Sequence, residues 1–359
     1  VGSWAHPPQI KNVRVTVVNQ QANIANRKVG FALSHEQFPV PTLIEFGIAA
    51  EEAGFDFLWT SDHFQPWMEN QGHAGQAWVT MAALGARTRR IPFGTGVTCP
   101  SYRYHPAIVA QAFTSLAQLY PGRVFLGAGS GEALNEQAAT GQWDEWATRS
   151  DRLVEAIDLI RQLWTGEEIA FKGQFFQTTA RLYDTPPQPV PLYVASNGAK
   201  SMKHAGEAGD GLITDAESLA DEDRMNTYRE AARGAGKDPS AMPVIVEQFV
   251  VVGGKAEAEE AATFWRFIPK AWDAFVDVHD PREILRGAEA ETPLEEAYGK
   301  WPVSDDPAVH VKALQELFAQ GATQIVVHAG QQDQQRVIAF YGKEVLPQLR
   351  AAGTSAARP

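Results

Sequence analysis

The sequence predicts a closed (β/α)8 barrel. Three observations carry this: eight short apolar runs alternate with helical segments along the chain, the runs lack strict polar alternation, and no composition break divides the chain. Strands buried on both faces are apolar at consecutive positions, which is why alternation is missing. A doubly wound open sheet is the alternative for the same element order.

The rhythm starts at Lys28. "KVGFAL" is the first strand and "PTLIEFGIAAEEAG" the helix after it. "FDFLWTS" is the second strand, followed by a helix holding "AWVTMAALGART". "IPFGTGVT" is the third, followed by the periodic helix "HPAIVAQAFTSLAQLYPG", where Pro106 suits a helix opening and His105 beside it reads as structural. "RVFLGAG" is the fourth, and "DRLVEAIDLIRQLWTG" an amphipathic helix closed by Gly166. "IAFKGQFFQTT" reads as an inserted hairpin turning at "KG". "PLYVASN", "GLIT", "VIVEQFVVV" and "TQIVVHAG" are the fifth to eighth strands. The helices "KSMKHAGEAG", "DRMNTYREAARGAG" and "DQQRVIAFYGKEVLPQLR" lie between and after them. Residues 255–300 are helical or irregular and rich in Trp and Phe. Residues 1–27 read as an extension, strand-like at "NVRVTVV", residues 28–350 as one barrel domain, and residues 351–359 as a disordered tail.

Composition narrows the function. The chain has 359 residues, 44% of them hydrophobic, and a formal net charge of -12. That acidity argues against a nucleic-acid partner and against a polybasic membrane binder. No apolar run reaches transmembrane length. One cysteine, Cys99, excludes an intrachain disulfide and a cysteine-based metal site. HExxH, a Walker A loop and a GxSxG elbow are absent, so no metal is expected. The cytoplasm is the default compartment; export with loss of a leader is the alternative for a chain starting at Val1.

In a (β/α)8 barrel the active site gathers where strands end and βα loops begin. "TSDHFQPW", Thr60 to Trp67, meets that condition. Asp62 can accept hydrogen bonds, His63 can take a proton from an alcohol, and Trp67 offers an N–H and a flat apolar face. "GAGSGEALNE" follows strand four, with glycines that let a ligand approach the backbone and Glu132 where a third Rossmann glycine would stand. Spacing alone leaves Glu132 either a raised-pKa acid in the mouth or a first-turn helix residue. "GTGVTCP" and "YVASNGAKS" end strands three and five and suit the walls of a narrow slot. Glu247, inside "VIVEQFV", is a candidate to point into the barrel.

At these residues the chain resembles the luciferase-like barrel oxidoreductases that use the deazaflavin coenzyme F420, in their glucose-6-phosphate and hydroxymycolic acid dehydrogenase branch. "SDHFQPW", "GTGVTCP", "RYHPAIVAQAF", "GRVFLGAGSGEALNE", "LIRQLW", "LYDTPP", "AGDG" and "ALSHEQF" carry the resemblance, which spans about Lys28 to Arg350. It implies a homodimer that binds F420 and moves a hydride from a carbinol carbon to the deazaflavin. His63 is then the base, Trp67 stabilises the transition state, and Glu132 is the acid near the ring. Asp62 hydrogen-bonds the cofactor. Gly96 and Val97 form a bulge with a non-prolyl cis peptide. Gly129, Ser130, Gly131 and Asn135 line the phosphate tail, and Ala195, Ser196, Asn197 and Gly198 the opposite wall; the family has Gly where Asn197 stands. Family members that oxidise a sugar phosphate hold its phosphate with a Thr, two Lys and an Arg. Here those places read Asp215, Ser218, Phe275 and Lys300, with Lys270 nearby in a loosely aligned segment. Glucose 6-phosphate is therefore expected to be a poor substrate. Trp265, Phe267, Trp272 and Phe275 suit an apolar alcohol. The alternatives are an F420-dependent sugar-phosphate dehydrogenase, an FMN-dependent monooxygenase on the same barrel, and a barrel that binds a small molecule without catalysis.

Overall fold

The computed structural model describes residues 27–355. Eight parallel strands close into a barrel in the order β1-β10-β9-β8-β7-β4-β3-β2. They are β1 (Lys28–Leu33), β2 (Phe57–Thr60), β3 (Phe93–Thr95), β4 (Val124–Ala128), β7 (Leu192–Ala195), β8 (Gly211–Thr214), β9 (Val244–Val250) and β10 (Gln324–Ala329). All eight coincide with the apolar runs read from the sequence, and closure rules out the open sheet.

Side-chain direction alternates along each strand, and here both directions are apolar. Phe31, Leu33, Leu58 and Val327 point outward into the large core shared with the helices. Ala32, Phe57, Trp59, Phe125, Ile213, Ile245 and Val326 fill the barrel interior. Glycines make room for the large ring systems: a Cβ on Gly30 would lie 2.6 Å from the Phe57 ring, and one on Gly96 2.2 Å from Trp59. The same alternation puts Glu247 and Phe249 on the face of Ile245, and His328 on the face of Val326.

The helices over Val40–Ala53, Ala77–Arg87, Pro106–Leu119, Trp146–Trp164, Ala199–Ala208, Glu222–Gly234 and Pro307–Gln320 form the outer layer. His105 caps the third of these by accepting the Ala107 N–H at Nδ1, 3.2 Å. The expected hairpin exists as β5 (Ile169–Lys172) against β6 (Gln177–Ala180), antiparallel. Its loop runs over Gly173 to Phe176, one residue past "KG", because Lys172 still pairs with Gln177 and Glu155 takes the N–H groups of Gln174, Phe175 and Phe176. The last helix continues to Ser355, so residues 351–355 belong to it rather than to a disordered tail. The strand expected at "NVRVTVV" lies outside the described residues.

After β9 the chain makes helices over Lys255–Trp265, Pro281–Glu291 and Leu294–Tyr298, with a 3-10 turn (Ile268–Lys270) and a π-helical turn (Ala271–Phe275) between the first two. The apolar faces of the first two helices, with Phe267 and Phe275 between them, meet Trp67, Met68 and Leu134 from two βα loops. This satellite core roofs the C-terminal mouth of the barrel.

Candidate active site

Beneath that roof lies a cavity of about 290 Å3. Its walls bring together His63, Trp67, Gly96, Val97, Glu132, Ala195, Asn197 and Glu247 from the residues singled out in the sequence. They come from five different strand ends, as expected for this face of a barrel.

His63 is held from both ring nitrogens. Its Nε2 lies 3.2 Å from Glu36 Oε1. Its Nδ1 lies 3.2 Å from the Gln65 carbonyl and 3.2 Å from Asn135 Nδ2. Asn135 Oδ1 accepts the Phe64 N–H at 2.8 Å, and its Nδ2 donates to Glu132 Oε2 at 3.0 Å. Asn135 therefore ties the loop after β2 to Glu132, which stands at the N-cap of the helix Ala133–Thr140 rather than inside its first turn. Trp67 sits 6.0 Å from the His63 ring and stacks on Phe267 at 4.6 Å.

Glu36 was not singled out from the sequence, although it follows β1 in "ALSHEQF" and meets the strand-end condition. It accepts hydrogen bonds from Ser34 Oγ at 3.0 Å and Ser61 Oγ at 2.6 Å. Burial pushes its pKa up, but His63, the Ser61 hydroxyl, its own backbone N–H and His328 outweigh burial and hold it below the usual carboxylate value. The site thus contains a fixed, ionised carboxylate against an imidazole. The neighbouring His35 is lowered as well, to about 4, chiefly by burial, which favours its neutral form.

A second pair was also missed in part. Glu247 accepts from His328 Nδ1 at 2.7 Å. His328 is clasped by Phe249, stacked at 4.1 Å, and by the edge of Trp265 at 4.5 Å. Only the period-two register with Val326 signals that this histidine faces inward.

Asp62 lies outside the cavity lining. Its carboxylate accepts from Thr98 Oγ1 at 2.6 Å, Arg103 Nη2 at 3.2 Å and Tyr104 OH at 3.3 Å. Arg103 continues to Glu136, whose Oε2 takes the Arg103 N–H at 2.8 Å. Burial raises Glu136 to about 7, against the pull of Arg103. Gly129 backs Val97, and Gly131, at φ +81°, faces Cys99 and Glu136. Ser130 lies between them, half-buried. Ser196 donates to Ser201 Oγ at 2.7 Å, and Gly198 is the N-cap of the helix Ala199–Ala208. Asn197 accepts from Thr214 Oγ1 at 3.1 Å and lines the cavity beside it.

Two expected substrate contacts are not where the sequence put them. Phe275 packs into the roof with Ile284 and Ala288. Lys300 is exposed and reaches Glu217 at 3.8 Å, outside the lining. Residues 255–300 contain no strand to fix their register, so sequence correspondence there is a weak guide to position. Lys270 is likewise engaged with Glu291 at 3.3 Å.

The wall made by Gly96, Val97, Ala195 and Ile213 fits a flat tricyclic ring: it is apolar, small-residue and backed by Trp59. The Gly96–Val97 peptide in it is cis.

The family model for luciferase-like monooxygenase matches residues 24–335. An F420-dependent hydroxymycolic acid dehydrogenase of Mycobacterium tuberculosis is 49% identical over 327 residues, covering 91% of this chain and 89% of that protein. An F420-dependent glucose-6-phosphate dehydrogenase of Nakamurella multipartita is 40% identical, covering 90% and 97%. The solved structure of an F420-dependent secondary alcohol dehydrogenase in complex with an F420-acetone adduct superposes with a TM-score of 0.83 at 33% identity, covering 93% of this chain and 99% of that one. The strand-end cavity, the closed barrel and these matches place the chain in the luciferase-like family.

Proposed function

We propose that this protein oxidises an uncharged, largely apolar alcohol, with F420 as its redox partner. It is an F420-dependent oxidoreductase acting on CH–OH groups. The observation that carries the substrate reading is the lining itself. Among the described lining residues, four carboxylates face the cavity, from Glu36, Glu132, Asp215 and Glu247, and none is a lysine or arginine. A phosphate dianion needs charge-assisted donors and would meet repulsion here. Trp265, Phe267, Ile268 and Trp272 offer apolar surface to a hydrocarbon portion instead.

The residues divide the work as follows. Gly96, Val97, Ala195 and Ile213 would hold the deazaflavin ring, and the N-terminal end of the helix Ala199–Ala208 lies open beside it for an anionic group. When bound, F420 supplies a hydride-accepting carbon without oxygen activation. His63 takes the hydroxyl proton. The ionised Glu36 then stabilises the imidazolium across 3.2 Å. Trp67 orients the carbinol against His63. Glu132, held by the same Asn135 amide that reaches His63, is the acid.

The test is an alcohol panel with F420, following loss of its visible absorbance. Medium-chain secondary alcohols should be turned over at least tenfold more efficiently than glucose 6-phosphate. Efficient glucose 6-phosphate oxidation would refute the reading. Titration of the apo-protein with FMN and with F420 separates it from a flavin monooxygenase: only F420 should bind tightly.

A further inference from the structure

The Glu247–His328 pair has no part in the proton transfer described above, yet it is a built polar site inside an otherwise aromatic wall. His328 is 5% exposed, lines the cavity, and its Nε2 has no hydrogen-bond partner among the described residues. A buried polar nitrogen left unpaired is costly, so a native protein keeps one where something satisfies it. The ring cannot turn away to find another partner. Phe249 stacks on one face at 4.1 Å and Trp265 closes its edge at 4.5 Å. Its Nδ1 is committed to Glu247 Oε1 at 2.7 Å.

That commitment fixes the chemistry of the free nitrogen. A carboxylate can only accept, so Nδ1 carries the proton in this bond. In the neutral ring Nε2 is then a lone pair waiting for a donor. Glu247 is itself only half-buried and lines the same cavity, offering a second acceptor beside it. A carboxylate or phosphate on the ligand brings no proton to give and faces four cavity carboxylates. A hydroxyl has the proton and no charge.

We propose that Glu247 and His328 form a substrate subsite that receives a second hydroxyl, making the preferred substrate an uncharged diol-type alcohol with an apolar remainder. This rests on the alcohol-dehydrogenase reading: His63 engages the hydroxyl being oxidised and His328 the one that is not. Both line one cavity, so one small molecule can present a hydroxyl to each. The aromatic side chains around His328 exclude water and strengthen the single hydrogen bond made there.

The experiment compares a secondary alkanol with alkanediols of the same chain, the second hydroxyl on the adjacent carbon or the next but one. In the wild type the better diol should exceed the alkanol about tenfold in kcat/KM, the worth of one buried hydrogen bond. In His328→Phe, which keeps an aromatic ring against Phe249, the diol-to-alkanol ratio should fall to near one whatever happens to the absolute rates. Glu247→Gln, which keeps an acceptor for Nδ1, should retain part of the preference. A wild-type ratio near one, or a ratio unchanged in His328→Phe, would overturn the subsite. Binding read from tryptophan fluorescence, without F420, gives a second measure: the diol should bind about tenfold more tightly than the alkanol, and equal binding counts against the proposal. If no alcohol is oxidised with F420 while the binding preference holds, the dehydrogenase reading fails and the subsite stands.

Discussion

At the scale of single residues, the site turns on Glu36. Its two oxygens are divided between the serine hydroxyls of Ser34 and Ser61 and the imidazole of His63. Glu36→Gln keeps the shape and removes the charge that stabilises the protonated base. The expected outcome is a loss of about 10²-fold in kcat, within the range for a general-base system, with F420 affinity unchanged. Steady-state kinetics together with a cofactor titration measure both quantities. His63→Ala should abolish turnover more fully while still binding F420, because in the proposed arrangement His63 meets the alcohol and not the Gly96–Ala195 wall. A His63→Ala protein that has also lost F420 would show that the imidazole belongs to the cofactor side.

At the scale of elements, glycines separate what builds the barrel from what serves the site. A Cβ on Gly127 would lie 2.0 Å from the Thr95 carbonyl oxygen, where β3 and β4 run side by side. Backbone cannot yield as a side chain tip can, so Gly127→Ala should destabilise the protein by roughly 3 kcal/mol. A Cβ on Gly198 meets nothing nearer than Ser201 Oγ at 3.8 Å. Gly198→Ala should leave the denaturation midpoint nearly unchanged and weaken F420 binding, since the added methyl stands at the helix N-terminal end proposed above for the cofactor's anionic group. Chemical denaturation and F420 titration on both variants read the two effects independently. The same contrast explains what the sequence made legible. Strands and helices were readable because buried strands and amphipathic helices differ in local periodicity. "SDHFQPW" and "GAGSGEALNE" were readable because their positions follow strands directly. His328 was not, because it sits within an apolar run and its inward direction depends on register. The Asp62–Arg103–Glu136 chain was not, because its members meet only through tertiary closure. Phe275 and Lys300 were misplaced because the roof segment is specified by packing of Trp and Phe residues, not by strand pairing.

At the scale of the whole molecule, two buried groups near the site pull stability in opposite directions with pH. His35 is lowered to about 4 by burial, so folding expels its proton. Its contribution is fully present above the unfolded value near 6.5 and is lost as pH falls towards 4. Glu136 is raised to about 7, so folding favours its protonated form. Its contribution is fully present below the unfolded value near 4.5 and is lost as pH rises through 7. Each amounts to something on the order of 3 kcal/mol over its window. Between about pH 4.5 and 6.5 the two slopes oppose each other, so this pair flattens the stability curve of the wild type there. Single variants should uncover the slopes. The stability of Glu136→Gln relative to wild type should rise with pH from about 4.5 to 7, because the variant no longer has a carboxyl to ionise in a buried place. The stability of His35→Gln relative to wild type should fall over about pH 4 to 6.5, because the variant escapes the acid penalty. Urea midpoints across that range measure both differences directly. Two flat difference curves would mean that Asp62, Arg103 and the surrounding groups already compensate each charge within the fold, and that neither residue sets the acid or neutral limit of the barrel.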